Sequence, residues 1–151
     1  MKKPHGFHTI LVGDNGTPEG ERAVAVGMSL GEKLGAKVIL LGVLTPPSAE
    51  SLAEGYGLDR HAKGRKKLEE HLQRAAQAGR RSGVDVVAEL VEGLPEPSLE
   101  KKAEQHGADL IVVGHRHISR IRSWLEGSTS KSLVRRCPVS VLVVHDGDID
   151  V

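Results

Sequence analysis

Residues 110–130 read Leu-Ile-Val-Val-Gly-His-Arg-His-Ile-Ser-Arg-Ile-Arg-Ser-Trp-Leu-Glu-Gly-Ser-Thr-Ser. The apolar run Leu110 to Val113 reads as a strand, and Gly114 as its end, where a missing side chain lets a ligand approach the backbone. Gly127-Ser128-Thr129 reads as a helix start. The free N–H groups and positive dipole end of a helix favour an anion there, and the two hydroxyls can donate to phosphate oxygens. The same residues also serve as a plain strand exit and helix cap, because Ser and Thr are ordinary N-caps. Either way, a strand precedes this loop and a helix follows it.

On its C-terminal side a helix is expected from about Ser128 to Arg136, bearing Leu133 and Val134. Pro138 breaks it, and Val139 to Val144 is the fifth strand. The tail from His145 to Val151 is acidic and expected to fray. On the N-terminal side, Asp109 to Gly114 forms the fourth strand. Before it comes a helix with Pro95 and Pro97 in its first turn, where a missing N–H costs little. That helix carries Leu99 and Ala103 and stops near Gly107. Val84 to Val91 is the third strand, ending at Gly93.

Leu58 to Ser82 is a charged helix with a narrow apolar stripe of Leu68, Leu72, Ala75, Ala76 and Gly79. Its basic residues, such as Arg65, Lys66 and Lys67, read as a solvated face. Thr45 to Gly57, with Pro46-Pro47, reads as a loop with room for one helical turn. Lys37 to Leu44 is apolar nearly throughout, the pattern of a strand buried on both faces in a parallel sheet. Phe7 to Gly13 is the first strand, followed by the turn Gly13-Asp14-Asn15-Gly16. Thr17-Pro18-Glu19 has a Thr cap, a Pro at the first helical position and an acid in the first turn. Ala23, Val26, Gly27, Leu30 and Leu34 then fall on one helical face, with Gly35 as the stop.

Strand and helix alternate five times, so the expected fold is α/β with a parallel sheet and helices on both faces. Such sheets bind ligands at the carboxyl ends of strands, near the switch point. Here those ends are the Gly-rich segments Gly13–Thr17 and Gly114–Thr129, and both lead into helix starts.

The chain of 151 residues is long enough for one domain with its own core. A formal net charge of +1 argues against a nucleic-acid partner. The lone Cys137 has no partner for an intramolecular disulfide, and no metal-type cysteine spacing is present. No basic-then-apolar opening suggests a leader, and no apolar run approaches the ~20 residues that span a bilayer, so a soluble cytoplasmic domain is expected.

Neighbouring α/β families fit poorly. Gly13, Gly16 and Gly20 have the wrong spacing for a dinucleotide fingerprint, and the second strand ends in Leu44-Thr45-Pro46 without an acid. No Gly-Lys-Ser/Thr loop occurs, and Glu92-Gly93 stands where a receiver domain needs an aspartate. His115-x-His117 lacks the further ligands a zinc site requires. Asp146-x-Asp148-x-Asp150 lacks the later Gly and Glu of a calcium loop. No catalytic residue is assigned, and no nucleophile motif is present.

Over about residues 7 to 144 the chain resembles the universal stress protein family. The resemblance is carried by Ile10-Leu11-Val12-Gly13-Asp14-Asn15-Gly16-Thr17, by Gly107-Ala108-Asp109-Leu110-Ile111-Val112-Val113-Gly114 and by Cys137-Pro138-Val139. It is also carried by the spacing Gly114, two residues, His117, nine residues, Gly127-Ser128. That family's signature has glycine where this chain has His117. The resemblance implies strand order 3-2-1-4-5 in an open doubly wound sheet. It implies ATP or AMP as ligand, with magnesium accompanying ATP. The adenosine contact falls on Asn15, which replaces an acid, with Gly13 and Asp14 beside it. The base contact falls near Val43, and the phosphate contacts on Gly114, His117, Gly127, Ser128 and Thr129; apart from the resemblance, the basic Arg116 beside His117 is a further candidate to meet a phosphate. The resemblance implies a small stress-response regulatory module that dimerises through Val139–Val144. The alternatives are a dimeric interaction module without nucleotide binding, or a slow ATPase.

Overall fold

Ile10 and Val12 point into one core and Leu11 into another, and this alternation along the first strand sets the layers of the molecule. The structure is a computed structural model that describes residues 6–115 and 139–145. The elements are β1 (Thr9–Gly13), α1 (Pro18–Leu34), β2 (Lys37–Leu44), α2 (Ala49–Ala53), α3 (Gly57–Arg81), β3 (Val86–Glu92), α4 (Pro95–His106), β4 (Leu110–Gly114) and β5 (Ser140–Val144). The strands form one parallel sheet in the order β3-β2-β1-β4-β5, as the resemblance implied.

Helices α1 and α3 cover the face that carries Ile10, Val12, Val38, Leu40, Leu110 and Val112. Helix α4 covers the other face, with Leu99 and Ala103 against Leu11, Ile39, Leu41, Ile111 and Val113. The apolar run in β2 is explained by this arrangement: residues Val38 to Leu41 are fully buried, on alternating sides. Gly42 follows them because α3 lies too close for a side chain. A Cβ there would stand 2.7 Å from Leu72 Cδ1 and 3.1 Å from Leu68 Cδ2.

The helix punctuation follows the local chemistry. Thr17 caps α1 by accepting from the Gly20 amide at 3.3 Å, and Pro residues open α1 and α4. Gly35 and Gly107 end the same two helices in the left-handed conformation, at φ 64° and 63°. The segment expected to hold one helical turn contains α2, capped by Ser48.

One expected face differs. Leu34 is 49% exposed, and the buried side of α1 runs through Ala23, Val24, Gly27 and Gly31. The small residues let α1 settle onto the sheet, where the methyls of Val12 and Val38 occupy the space a Cβ at Gly27 or Gly31 would need. In α3 the stripe is buried at Leu68, Leu72, Ala76 and Gly79, with Ala75 at its margin. At the other end of the sheet, the Asp109 carboxylate accepts from the amides of His8 and Thr9 and fastens the start of β1 to β4. The helix expected over Ser128–Arg136 and the acidic tail after His145 lie outside the described residues.

Candidate functional site

The carboxyl end of β1 runs straight into the loop Asp14-Asn15-Gly16-Thr17. The Asp14 amide donates to the Leu41 carbonyl at 2.9 Å, which carries the pairing with β2 one residue past the strand. The Asp14 side chain turns inward. Its Oδ1 accepts from the Gly16 amide at 3.0 Å, and its Oδ2 lies 2.8 Å from His71 Nε2 on α3. A carboxylate only accepts, so the imidazole Nε2 carries the hydrogen. Asn15 is exposed, and its Oδ1 accepts from the Thr17 amide at 3.1 Å and the Thr17 hydroxyl at 2.5 Å. Gly16 makes the reversal possible at φ 78°, a conformation costly for any residue with a Cβ. The loop is thus set by its own hydrogen bonds before any ligand arrives.

On the α4 side of this loop lies a cleft of about 160 Å3, lined by Gly13, Asp14, Asn15, Leu41, Val43, Thr45, Pro95 and Leu99. Its walls are mainly apolar, and Asn15 and Thr45 supply polar groups at the rim. Whole-ligand sites usually measure ~300–1,000 Å3, so this cleft suits a flat ring rather than an entire nucleotide. Gly13 is the close-approach point: a Cβ there would meet Val113 at 3.3 Å and Leu99 at 3.4 Å.

Of the residues singled out in the sequence, Gly13, Asp14, Asn15 and Val43 come together at this cleft. The Asp14 carboxylate is committed to Gly16 and His71. Gly114 ends β4, the neighbour of β1 on the opposite side from β2. Just beyond it, the ring of His115 stacks on that of His145 with centroids 5.9 Å apart. Arg116, His117, Gly127, Ser128 and Thr129 lie outside the described residues. No group of residues suited to a metal ion occurs among those described.

Sequence reading missed Leu41, Thr45, Pro95, Leu99 and His71. Thr45 could have been found by extending the period-two alternation of β2 past Val43. Nothing local marks His71, because its partner Asp14 is 57 residues away along the chain.

The sequence model of the universal stress protein family matches residues 6–145. A Staphylococcus haemolyticus protein named for that family is 29% identical over 145 residues, which span 95% of this chain and 87% of the relative. A solved universal stress protein in complex with cAMP has a TM-score of 0.66 and 26% identity, covering 95% of this chain and 100% of its own. UspA from Lactobacillus plantarum has the same fold, with a TM-score of 0.71 at 20% identity, covering 93% of this chain and 99% of its own.

Proposed function

This chain belongs to the universal stress protein family, and from that premise we propose that it is a stress-response regulatory protein with an adenine-nucleotide site at the carboxyl ends of β1 and β2. One observation carries the reading: an apolar slot stands between Val43 and Leu99, beside the preformed Asp14–Thr17 loop. Val43 and Pro95 offer apolar faces for a purine, above the buried Leu41 and Leu99, and Asn15 offers an amide oxygen to a sugar hydroxyl. The relative crystallised with cAMP supports an adenine ligand of this kind. The slot takes the base, and the segment from Gly114 to Thr129 supplies the phosphate contacts.

Calorimetric titration of the full chain with ATP, AMP and cAMP, with and without magnesium, tests the proposal. Saturable micromolar binding of at least one of them is expected. No heat and no thermal shift at millimolar concentration of all three would reject it. His117 stands where the family has glycine, so His117→Gly is expected to tighten binding.

A second reading is favoured by β5, an outer strand of the sheet. Val141 and Leu142 on it are 36% and 37% exposed. An apolar outer strand presents unpaired backbone groups for another chain, so a homodimer formed through Val139–Val144 is part of the proposal.

A further inference from the structure

On the α3 side of the Asn15–Gly16 turn lies a second, shallow cleft of about 430 Å3. Leu44 and Leu68 form its apolar floor, and Lys67, His71 and Arg74 line it from α3. We propose that this cleft binds a polyphosphate-type anion, with Lys67, His71 and Arg74 as its contacts. Binding of a free polyphosphate here does not depend on the nucleotide reading above; if the phosphates belong to a nucleotide, this cleft replaces the Gly114–Thr129 segment as their holder.

Four observations support it. The basic residues recur at i, i+4 and i+7, which brings them to one face of the helix. No carboxylate shares the lining, and neither Lys67 nor Arg74 has a salt bridge among the described residues. Arg65 on the same helix behaves differently, contacting both Glu69 and Glu92. His71 is fixed in place by the buried Asp14 carboxylate, which lies 2.8 Å from its Nε2.

The fourth observation is Gly64. A glycine inside a helix costs about 1 kcal/mol relative to alanine. Packing does not require one here, since a Cβ at Gly64 would meet only Leu44 Cδ1, at 3.9 Å. Gly79 on the same helix is different: a Cβ there would stand 2.7 Å from Met28. The missing side chain at Gly64 therefore keeps the cleft open without serving the core.

The ligand class follows from the spacing. Lys67 and Arg74 are about 10 Å apart along the helix axis, more than one phosphate group bridges. A planar guanidinium can engage phosphate through two parallel hydrogen bonds, while an ammonium acts as a point charge. An extended chain of phosphates fits both. It can arrive as a free polyphosphate or as the phosphate tail of a nucleotide, because Asn15 and Val43 line both clefts.

The test is calorimetric titration of the full chain with inorganic tripolyphosphate, ATP and adenosine at low salt. Tripolyphosphate is expected to bind, and the Lys67→Gln/Arg74→Gln double variant to bind it at least tenfold more weakly. Gly64→Leu is expected to weaken it similarly while melting cooperatively. A control pair at distant exposed sites, Lys33→Gln/Lys101→Gln, should change affinity less than twofold. Parallel loss of ATP affinity, with adenosine unaffected, would assign the phosphates to a nucleotide tail; ATP binding unchanged by the double variant would assign them to a free polyphosphate. No binding of tripolyphosphate, or equal losses in the double variant and the control pair, would overturn the proposal.

Discussion

His71 Nε2 on α3 lies 2.8 Å from Oδ2 of Asp14, a carboxylate with no exposed side-chain surface. Through this contact a helix 57 residues away in sequence holds the loop that edges both clefts. Replacing His71 with Leu leaves the buried carboxylate with the Gly16 amide as its remaining partner among the described residues. The expected cost is about 2 kcal/mol, the penalty for a buried charged acceptor losing a donor. Urea denaturation of the wild type and variant measures it, and coincident midpoints would refute it.

Two glycines facing α3 and β2 should respond in opposite directions. Gly42→Ala drives a methyl against Leu72 and Leu68 and should destabilise by about 1–3 kcal/mol. Gly64→Ala places its methyl in ordinary contact with Leu44 and should stabilise by about 0.5–1 kcal/mol. Thermal melts of the two variants decide this, and the reverse order would contradict the packing described for α3.

Glu89 on β3 links to α4 through Lys102 Nζ at 2.9 Å and His106 Nε2 at 2.7 Å. Burial opposes its charge, but the Lys102 and His106 contacts outweigh it and hold the carboxyl below its ordinary value of 4.5. A folded value below the unfolded one gives stability that is complete above pH 4.5 and lost as pH falls through the folded value. Glu89→Gln should therefore cost about 0.5 kcal/mol at pH 7, a figure reduced for partial exposure. The gap from the wild type should close in acid. A gap that stays constant from pH 7 to about pH 3 would show that charge is not its origin.

Asn15 has its side-chain oxygen turned to Thr17. A carboxylate can keep that turn and accept more strongly from a ribose hydroxyl. Asn15→Asp should therefore tighten adenosine and AMP alike, by up to about tenfold. Titration of the two ligands checks this; no gain for either would disconnect Asn15 from the sugar.

On β5, Leu142→Lys places a charge on the outer strand and should disfavour pairing with a second copy. Sedimentation velocity at micromolar concentration is expected to give a dimer for the wild type and a monomer for the variant. A wild-type monomer would remove the edge-pairing reading.

The sequence by itself determined the features that depend on neighbours in the chain. The Thr17 cap, the Pro openings of α1 and α4, the Gly35 and Gly107 stops and the buried run of β2 all follow from backbone geometry or side-chain periodicity. Strand alternation implied a parallel α/β sheet, and the family resemblance supplied its order. Leu34 shows the limit of periodicity. It falls on the apolar repeat of α1, yet the helix seats Gly27 and Gly31 against Val12 and Val38, where a Cβ would collide with their methyls, and Leu34 is left 49% exposed. Only the tertiary structure decided that Leu99 and Pro95 wall the slot beside Val43, since that depends on α4 crossing to the face opposite α3. It alone joined Asp14 to His71, because a hydrogen bond between residues so distant in sequence exists only once the sheet and helices have packed.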